Sequence, residues 1–255
     1  MDGDETDMNA EDGKIKIAAP SWVIPGDVSE NARFLSGVVG GCALCLFETA
    51  GSLKYDEKDL PSSLADLPLE WHLHFPCDLP EDSAEAAADI CLKLERKTRF
   101  LKPTLAVLHP PSMGDAESKK SYMKIFLSRW REESALRITL ENTSSCDLIE
   151  LGEDFFDQED CGVCLDTAHA LGYAQDALLR STLPERAEIA HWSAPREEDH
   201  HASLRYLTAD QREILRDLAR RMPTDAIHLL EVFSWEGVET SLPALRDILA
   251  NKQRS

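Results

Sequence analysis

Eight short apolar runs recur at roughly 30-residue intervals along this chain, and that rhythm leaves few folds open to it. They are KIKIAAP from Lys14, CALCLFE from Cys42, LEWHLHF from Leu69, TLAVLHP from Thr104, LRITLEN from Leu136, GVCLDTA from Gly162, AEIAHWS from Ala187 and AIHLLEVF from Ala226. Segments with helical periodicity or capping residues separate them, at 28–38, 83–100, 119–133, 209–221 and 241–251. Asp27 or Ser29 is placed to cap the first helix, and Ser83 with Glu85 to open the second. Strand and helix alternating eight times within one domain of this length predict a single-domain α/β fold, a (β/α)8 TIM barrel. An open doubly wound sheet competes less well, because no glycine-rich phosphate loop follows the first run.

The barrel is expected over residues 14–255. Residues 1–13, MDGDETDMNAEDG, are acidic and polar and read as a disordered tail, the reverse of a signal peptide. No apolar run approaches the roughly 20 residues that span a bilayer, so a cytoplasmic protein without membrane contact is expected. Lys and Arg total 27 against 47 Asp and Glu, a formal net charge of −20. Such a surface repels a phosphate backbone at long range, which argues against a nucleic-acid partner.

Seven cysteines, an odd number, do not suggest a disulfide framework. Cys42/Cys45 and Cys161/Cys164 have CxxC spacing, but both pairs fall on or beside apolar runs. Strand residues three apart point to opposite faces, so neither pair is set to chelate one ion, and small buried hydrophobes are expected instead.

Ionisable residues collect at one end of the runs. The third ends at His74, the fourth at His109 and the fifth at Glu141. The sixth ends at Asp166 with His169 three residues on, the seventh at His191, and the eighth at Glu231. Asp199 and His201 follow in the loop after the seventh. In a β/α barrel all strand C-termini open on one face, so these positions converge on one bowl. A lone strand-end His or Glu is more often a hydrogen-bonding residue than a ligand. Six consecutive strands carrying such groups at the same end make the stronger case, because buried carboxylates need cations. His72 and His228 lie inside their runs and read as barrel wall or ligand support.

The ordered set His, His, Glu-Asn, Asp-x-x-His, His, Asp-x-His, Glu resembles the xylose-isomerase-like barrel superfamily. Within it, the set is most similar to the apurinic endonuclease family 2, or endonuclease IV-like, branch. The resemblance implies up to three divalent metal ions per chain, zinc, manganese or iron. His74, His109 and Glu141 would hold one. Glu141 would bridge to a second that also takes Asp166, His191 and Glu231. His169, Asp199 and His201 would hold the third. Glu141 or Glu231 would act catalytically by orienting the attacking water in phosphodiester hydrolysis. Sugar isomerases and epimerases of the superfamily resemble the chain at Glu141, Asp166, His191 and Glu231 only, with one metal. The additional imidazoles favour the hydrolase, and a non-catalytic metal-binding protein is the third reading.

A narrower resemblance concerns Ser21-Trp22-Val23-Ile24-Pro25-Gly26, Phe47-Glu48 and His72-Leu73-His74 with Pro76, which look like the cobamide-remodelling phosphodiesterases. It implies a small-molecule corrinoid substrate, hydrolysed in its nucleotide loop to cobinamide phosphate and a riboside. Trp22, Pro25, Glu48, Asn142 and Trp235 are the expected substrate contacts. Residues 22–25 follow the first strand, while Phe233 and Trp235 follow the eighth. Adjacent in a closed barrel, these two groups form either one apolar platform or a plain cap.

Overall fold

A computed structural model describes residues 16–196 and 201–250. The acidic N-terminal tail, Asp199 and His200 lie outside the described residues.

All eight apolar runs form strands: β1 (Lys16–Pro20), β2 (Gly41–Cys45), β3 (Glu70–His74), β4 (Leu105–Leu108), β5 (Arg137–Glu141), β6 (Gly162–Asp166), β7 (Ala187–His191) and β8 (Ile227–Leu229). Each pairs in parallel with its sequence neighbour, and β8 returns to β1, closing the barrel. The strands are buried on both faces apart from a few first residues and Glu188, as a sheet wrapped in helices requires.

The helices follow from their caps and periodicity. Asp27 opens α1 (Val28–Leu35) with a capping box to Glu30, so Asp27 rather than Ser29 is the cap. After the short α2 (Thr49–Ser52), Ser83 caps α3 (Ala84–Thr98) and Asp115 caps α4 (Ala116–Arg131). Between β5 and β7 lie α5 (Glu153–Gln158), α6 (Thr167–Gly172) and α7 (Asp176–Arg180). Thr208 caps α8 (Ala209–Arg221) with a second capping box. The last helix, α9 (Trp235–Ala250), starts six positions before the expected 241 and carries Pro243 through its middle. Among the described residues no helix is long and apolar enough to cross a membrane.

Alternation along the strands divides the core. Ala18, Ala43, Cys45, Leu105, Val107, Cys164, Ile189, Ile227 and Leu229 fill the barrel interior, and a larger cluster packs sheet against helices. The CxxC pairs divide as their spacing requires, with Cys42 and Cys161 in the outer cluster and Cys45 and Cys164 inside. All seven cysteines are free. Low in the barrel, Glu188 accepts from Arg137 Nε and Nη2 at 2.9 and 2.7 Å. A Cβ on Gly162 would sit 2.6 Å from the Glu188 carboxylate and 2.7 Å from Thr139, so only glycine fits there. The polar lower end leaves the upper end, where the strands finish, as the place for chemistry.

Candidate metal centre

Strand register brings the strand-end groups level. Cys45 pairs with His74, His74 with Val107, Glu141 with Cys164, and Asp166 with His191, which in turn pairs with Leu229 two residues before Glu231. His109 is the first residue past β4, and His169 sits in the first turn of α6. His201 lies beyond β7, where the Ala194–Ala202 bridge draws the loop ends together.

Glu141 is the hub and is 1% exposed. Its Oε2 lies 3.1 Å from His74 Nε2, 3.2 Å from His109 Nε2 and 3.4 Å from His191 Nδ1. Its Oε1 lies 3.7 Å from His169 Nδ1. Glu231 Oε2 is 3.0 Å from His191 Nδ1 and 3.5 Å from His201 Nδ1. Glu141, Asp166, His191 and Glu231 each offer a ligand atom within 4.8 Å of the others, as do His74, Glu141 and His191.

The supporting contacts fix which atoms face inward. His74 Nδ1 donates to the Phe75 carbonyl at 3.0 Å, which leaves Nε2 for the bowl. His169 Nδ1 donates to the Asn142 carbonyl at 2.8 Å, again leaving Nε2 as the ligating nitrogen. Asp166 divides its carboxylate: Oδ1 caps α6 by accepting from His169 N at 2.6 Å, while Oδ2 is buried with no hydrogen-bond partner. Glu231 Oε2, His109 Nε2 and both ring nitrogens of His191 are also buried without an aligned hydrogen bond, despite the short distances. His74 Nε2 and Glu141 Oε2 are aligned for a hydrogen bond at 3.1 Å, whereas the other close but misaligned imidazoles and carboxylates have the geometry of ligands turned to a shared cation rather than to one another.

Electrostatics agree. Burial, with Glu231 and Glu141 alongside, pushes the Asp166 carboxyl well above the usual range. Burial would raise Glu141 too, but His191 and His109 outweigh it and hold the carboxyl well below its usual range. His191 and His109 are raised despite burial, by Cys164, Glu231 and Glu141 in the first case and by Glu141 and Cys77 in the second. Protons thus gather where three buried carboxylates need positive charge. The residues fit divalent metal ions, and the imidazole–carboxylate donor set suits zinc, manganese or iron. His74, His109 and Glu141 would hold one, and Glu141, Asp166, His191 and Glu231 another. Of the three groups expected to hold the third, His169 and His201 have ring centroids 5.5 Å apart, and Asp199 lies outside the described residues.

The expected substrate contacts fare differently. Trp22 stands over the barrel mouth, its ring 6.0 Å from that of Phe47, and Pro25 and Glu48 are exposed on the loops beside it. Asn142, by contrast, is fully buried and engaged with Asp166 and Gln175, so it supports the centre and does not face substrate. Trp235 turns outward with the start of α9 and packs edge-on against Phe34 of α1, ring centroids 4.7 Å apart. Phe47 and Phe233 hold the place expected of it, 5.5 Å apart. His72 lies in the barrel below His74, its pKa lowered to about 3 by burial and the neighbouring His191 and His74. His228 faces the helices and accepts from Trp192 Nε1 at 3.1 Å, which makes it barrel wall. Asn31, unremarked in the sequence, accepts from the Val23 and Ile24 amides at 2.7 and 2.9 Å and fixes the loop carrying Trp22.

The same architecture occurs in solved structures. A D-tagatose 3-epimerase-like protein superposes with a TM-score of 0.72 at 15% identity, over 94% of this chain and 99% of its own. Endonuclease IV from Thermus thermophilus gives 0.67 at 19% identity, over 92% and 99%. A xylose isomerase domain containing protein from Salmonella typhimurium gives 0.64 at 12%, over 94% and 97%. The chain has the fold of these proteins. No protein-family model matches the sequence, and no curated protein matches it.

Proposed function

We propose that this chain is a metal-dependent phosphodiesterase of the xylose-isomerase-like superfamily, endonuclease IV-like in its centre. The observation that carries the reading is that His74 and His109 both bring Nε2 within 3.2 Å of one Glu141 oxygen. These imidazoles add donors outside the Glu141, Asp166, His191 and Glu231 set, and added donors mean an added ion. Bound divalent ions would polarise a phosphoryl oxygen and lower the pKa of an attacking water. The chain's own groups would do the rest. Glu141 and Glu231, facing each other across His191, orient the water and take its proton. Asp166, held by the Asn142 amide, keeps the carboxylate geometry fixed.

The substrate proposed is a corrinoid of the cobamide type, cleaved in its nucleotide loop to cobinamide phosphate and a riboside. The net charge of −20 favours a small molecule over nucleic acid. A second reading, a sugar isomerase or epimerase, is favoured by the compact four-residue cluster, which needs one metal only. Elemental analysis of purified, metal-replete protein tests the choice. Close to three ions per chain, followed by release of cobinamide phosphate from a reduced cobamide, is the expected result. One ion per chain would replace the hydrolase with the isomerase.

A further inference from the structure

Three aromatic rings on three neighbouring loops form a continuous wall beside the centre. Phe233 follows β8, Trp22 follows β1 and Phe47 follows β2, and these strands are adjacent in the closed barrel. Trp22 and Phe47 have ring centroids 6.0 Å apart with their planes at 54°, Phe47 and Phe233 5.5 Å apart at 62°, and Phe233 meets the His201 ring edge-on at 5.4 Å. Phe47 is 45% and Phe233 38% exposed, so the wall shows its rings to the open end of the barrel.

The wall is built in advance of any ligand. Asn31 holds the loop after β1, and the Ser21 hydroxyl accepts from Cys45 N at 3.2 Å, joining that loop to β2. Asp78 accepts from Thr49 N and Oγ1 at 2.8 and 2.7 Å, fixing the chain just beyond Phe47. An exposed ring on a loop held as that of Phe47 is suits a flat partner, because stacking on it then immobilises little. Glu48 is exposed directly after Phe47, so an anionic ring would be repelled.

We infer that the exposed rings of Phe47 and Phe233, backed by Trp22, form a subsite for an uncharged planar heteroaromatic base that stacks on one ring and meets the other at its edge, the base being carried by the riboside released when a ribosyl phosphodiester with its phosphate at the metal centre is hydrolysed. The inference rests on the phosphodiesterase reading for the position of the phosphate. The base itself is recognised by geometry that does not depend on metal.

Calorimetric titration with benzimidazole riboside tests it, on metal-loaded wild type, Phe47→Ala, Phe233→Ala and Phe47→Tyr. Wild type and Phe47→Tyr should bind alike. Each alanine variant should bind about tenfold or more weakly, as removal of a stacking ring does for nucleic-acid bases, with metal content at the wild-type level. No binding to wild type, or undiminished binding to both alanine variants, would overturn the subsite. Hydrolysis of bis(p-nitrophenyl) phosphate is followed in parallel. Riboside binding with this ring dependence in a protein that cleaves no phosphodiester would keep the subsite and remove the hydrolase. Cleavage with unchanged riboside binding in both alanine variants would do the reverse.

Discussion

Asn142 and Asp166 are joined twice across the ends of β5 and β6. Asp166 N donates to Asn142 Oδ1 at 2.7 Å, and Asn142 Nδ2 donates back to the Asp166 carbonyl at 2.9 Å. The pair works as an extra rung of the parallel ladder, placed where the strands stop and the candidate metal ligands begin. It fixes the backbone from which the Asp166 carboxylate projects, and the remaining Asn142 proton goes to Gln175 Oε1 at 2.8 Å.

Replacing this side chain should therefore be costly although it touches no substrate. Asn142→Ala strands the buried Asp166 N–H and the Gln175 carbonyl oxygen. At about 1–3 kcal/mol for each unsatisfied buried group, the expected loss is roughly 2–6 kcal/mol. Urea denaturation of the metal-free protein measures it directly. A change below about 1 kcal/mol would mean that water replaces the amide and that the rung is not structural.

The barrel was legible because its strands are apolar on both faces and so differ sharply from the helices between them. The candidate ligands were legible because a barrel converts position along a strand into height in the bowl, and the strand-end residues share one height. What escaped depended on side-chain direction. Asn142 follows Glu141 and looked like a substrate donor, but its amide is taken up by the β6 backbone, a contact that no local pattern reveals. Trp235 lies two residues beyond Phe233, yet the chain enters α9 there, with Ser234 Oγ accepting from Gly237 N at 3.2 Å, and the helix turns the indole outward. Pro243 hid that early start, since a proline inside a helix ordinarily marks a boundary. Asn31 was overlooked because one asparagine in a helix gives no sign that its amide clamps the preceding loop.

Thiol chemistry should report the inside–outside division of the cysteines. Cys77 is exposed, and the other six are buried. Burial pushes Cys146 and Cys161 up to about 12 and Cys42 higher still. Near neutral pH the buried thiols are protonated as well as inaccessible. An aromatic disulfide reagent should modify one thiol per chain in native protein and seven in denaturant. Two or more fast-reacting native thiols would contradict the buried placement of the CxxC pairs.

The loop beyond His109 is held by one carboxylate. Glu81 accepts from Ser112 N, Ser112 Oγ and Met113 N at 2.9, 2.6 and 3.1 Å. Burial is the largest single influence and raises its pKa, but the hydrogen bonds from Ser112 and Met113 together prevail and the net shift is downward. A depressed folded value means that the clasp contributes fully above the ordinary glutamate range. The contribution is lost as pH falls through the lower, folded value. The Ser112 and Met113 amide resonances should titrate with a midpoint below 4.5, and Glu81→Gln should abolish the transition. A midpoint at or above 4.5 would show that the loop is held by other contacts.

His109 separates the two enzymatic readings. Its Nε2 approaches the same Glu141 oxygen as His74 Nε2, while the cluster of Glu141, Asp166, His191 and Glu231 is complete without it. His109→Ala should lower the metal content by one ion per chain and leave the four-residue cluster loaded. Phosphodiester cleavage should fall by more than the roughly 10–100-fold that follows loss of a residue supporting a ligand, because here the ligand itself is removed. A one-metal isomerase makes the opposite demand. Its metal content would not change, and exchange of a sugar carbon-bound proton with solvent would survive the substitution. Metal analysis and the two activities, measured on the same preparation, decide the matter, since a merely misfolded variant would lose all its metal and both activities together.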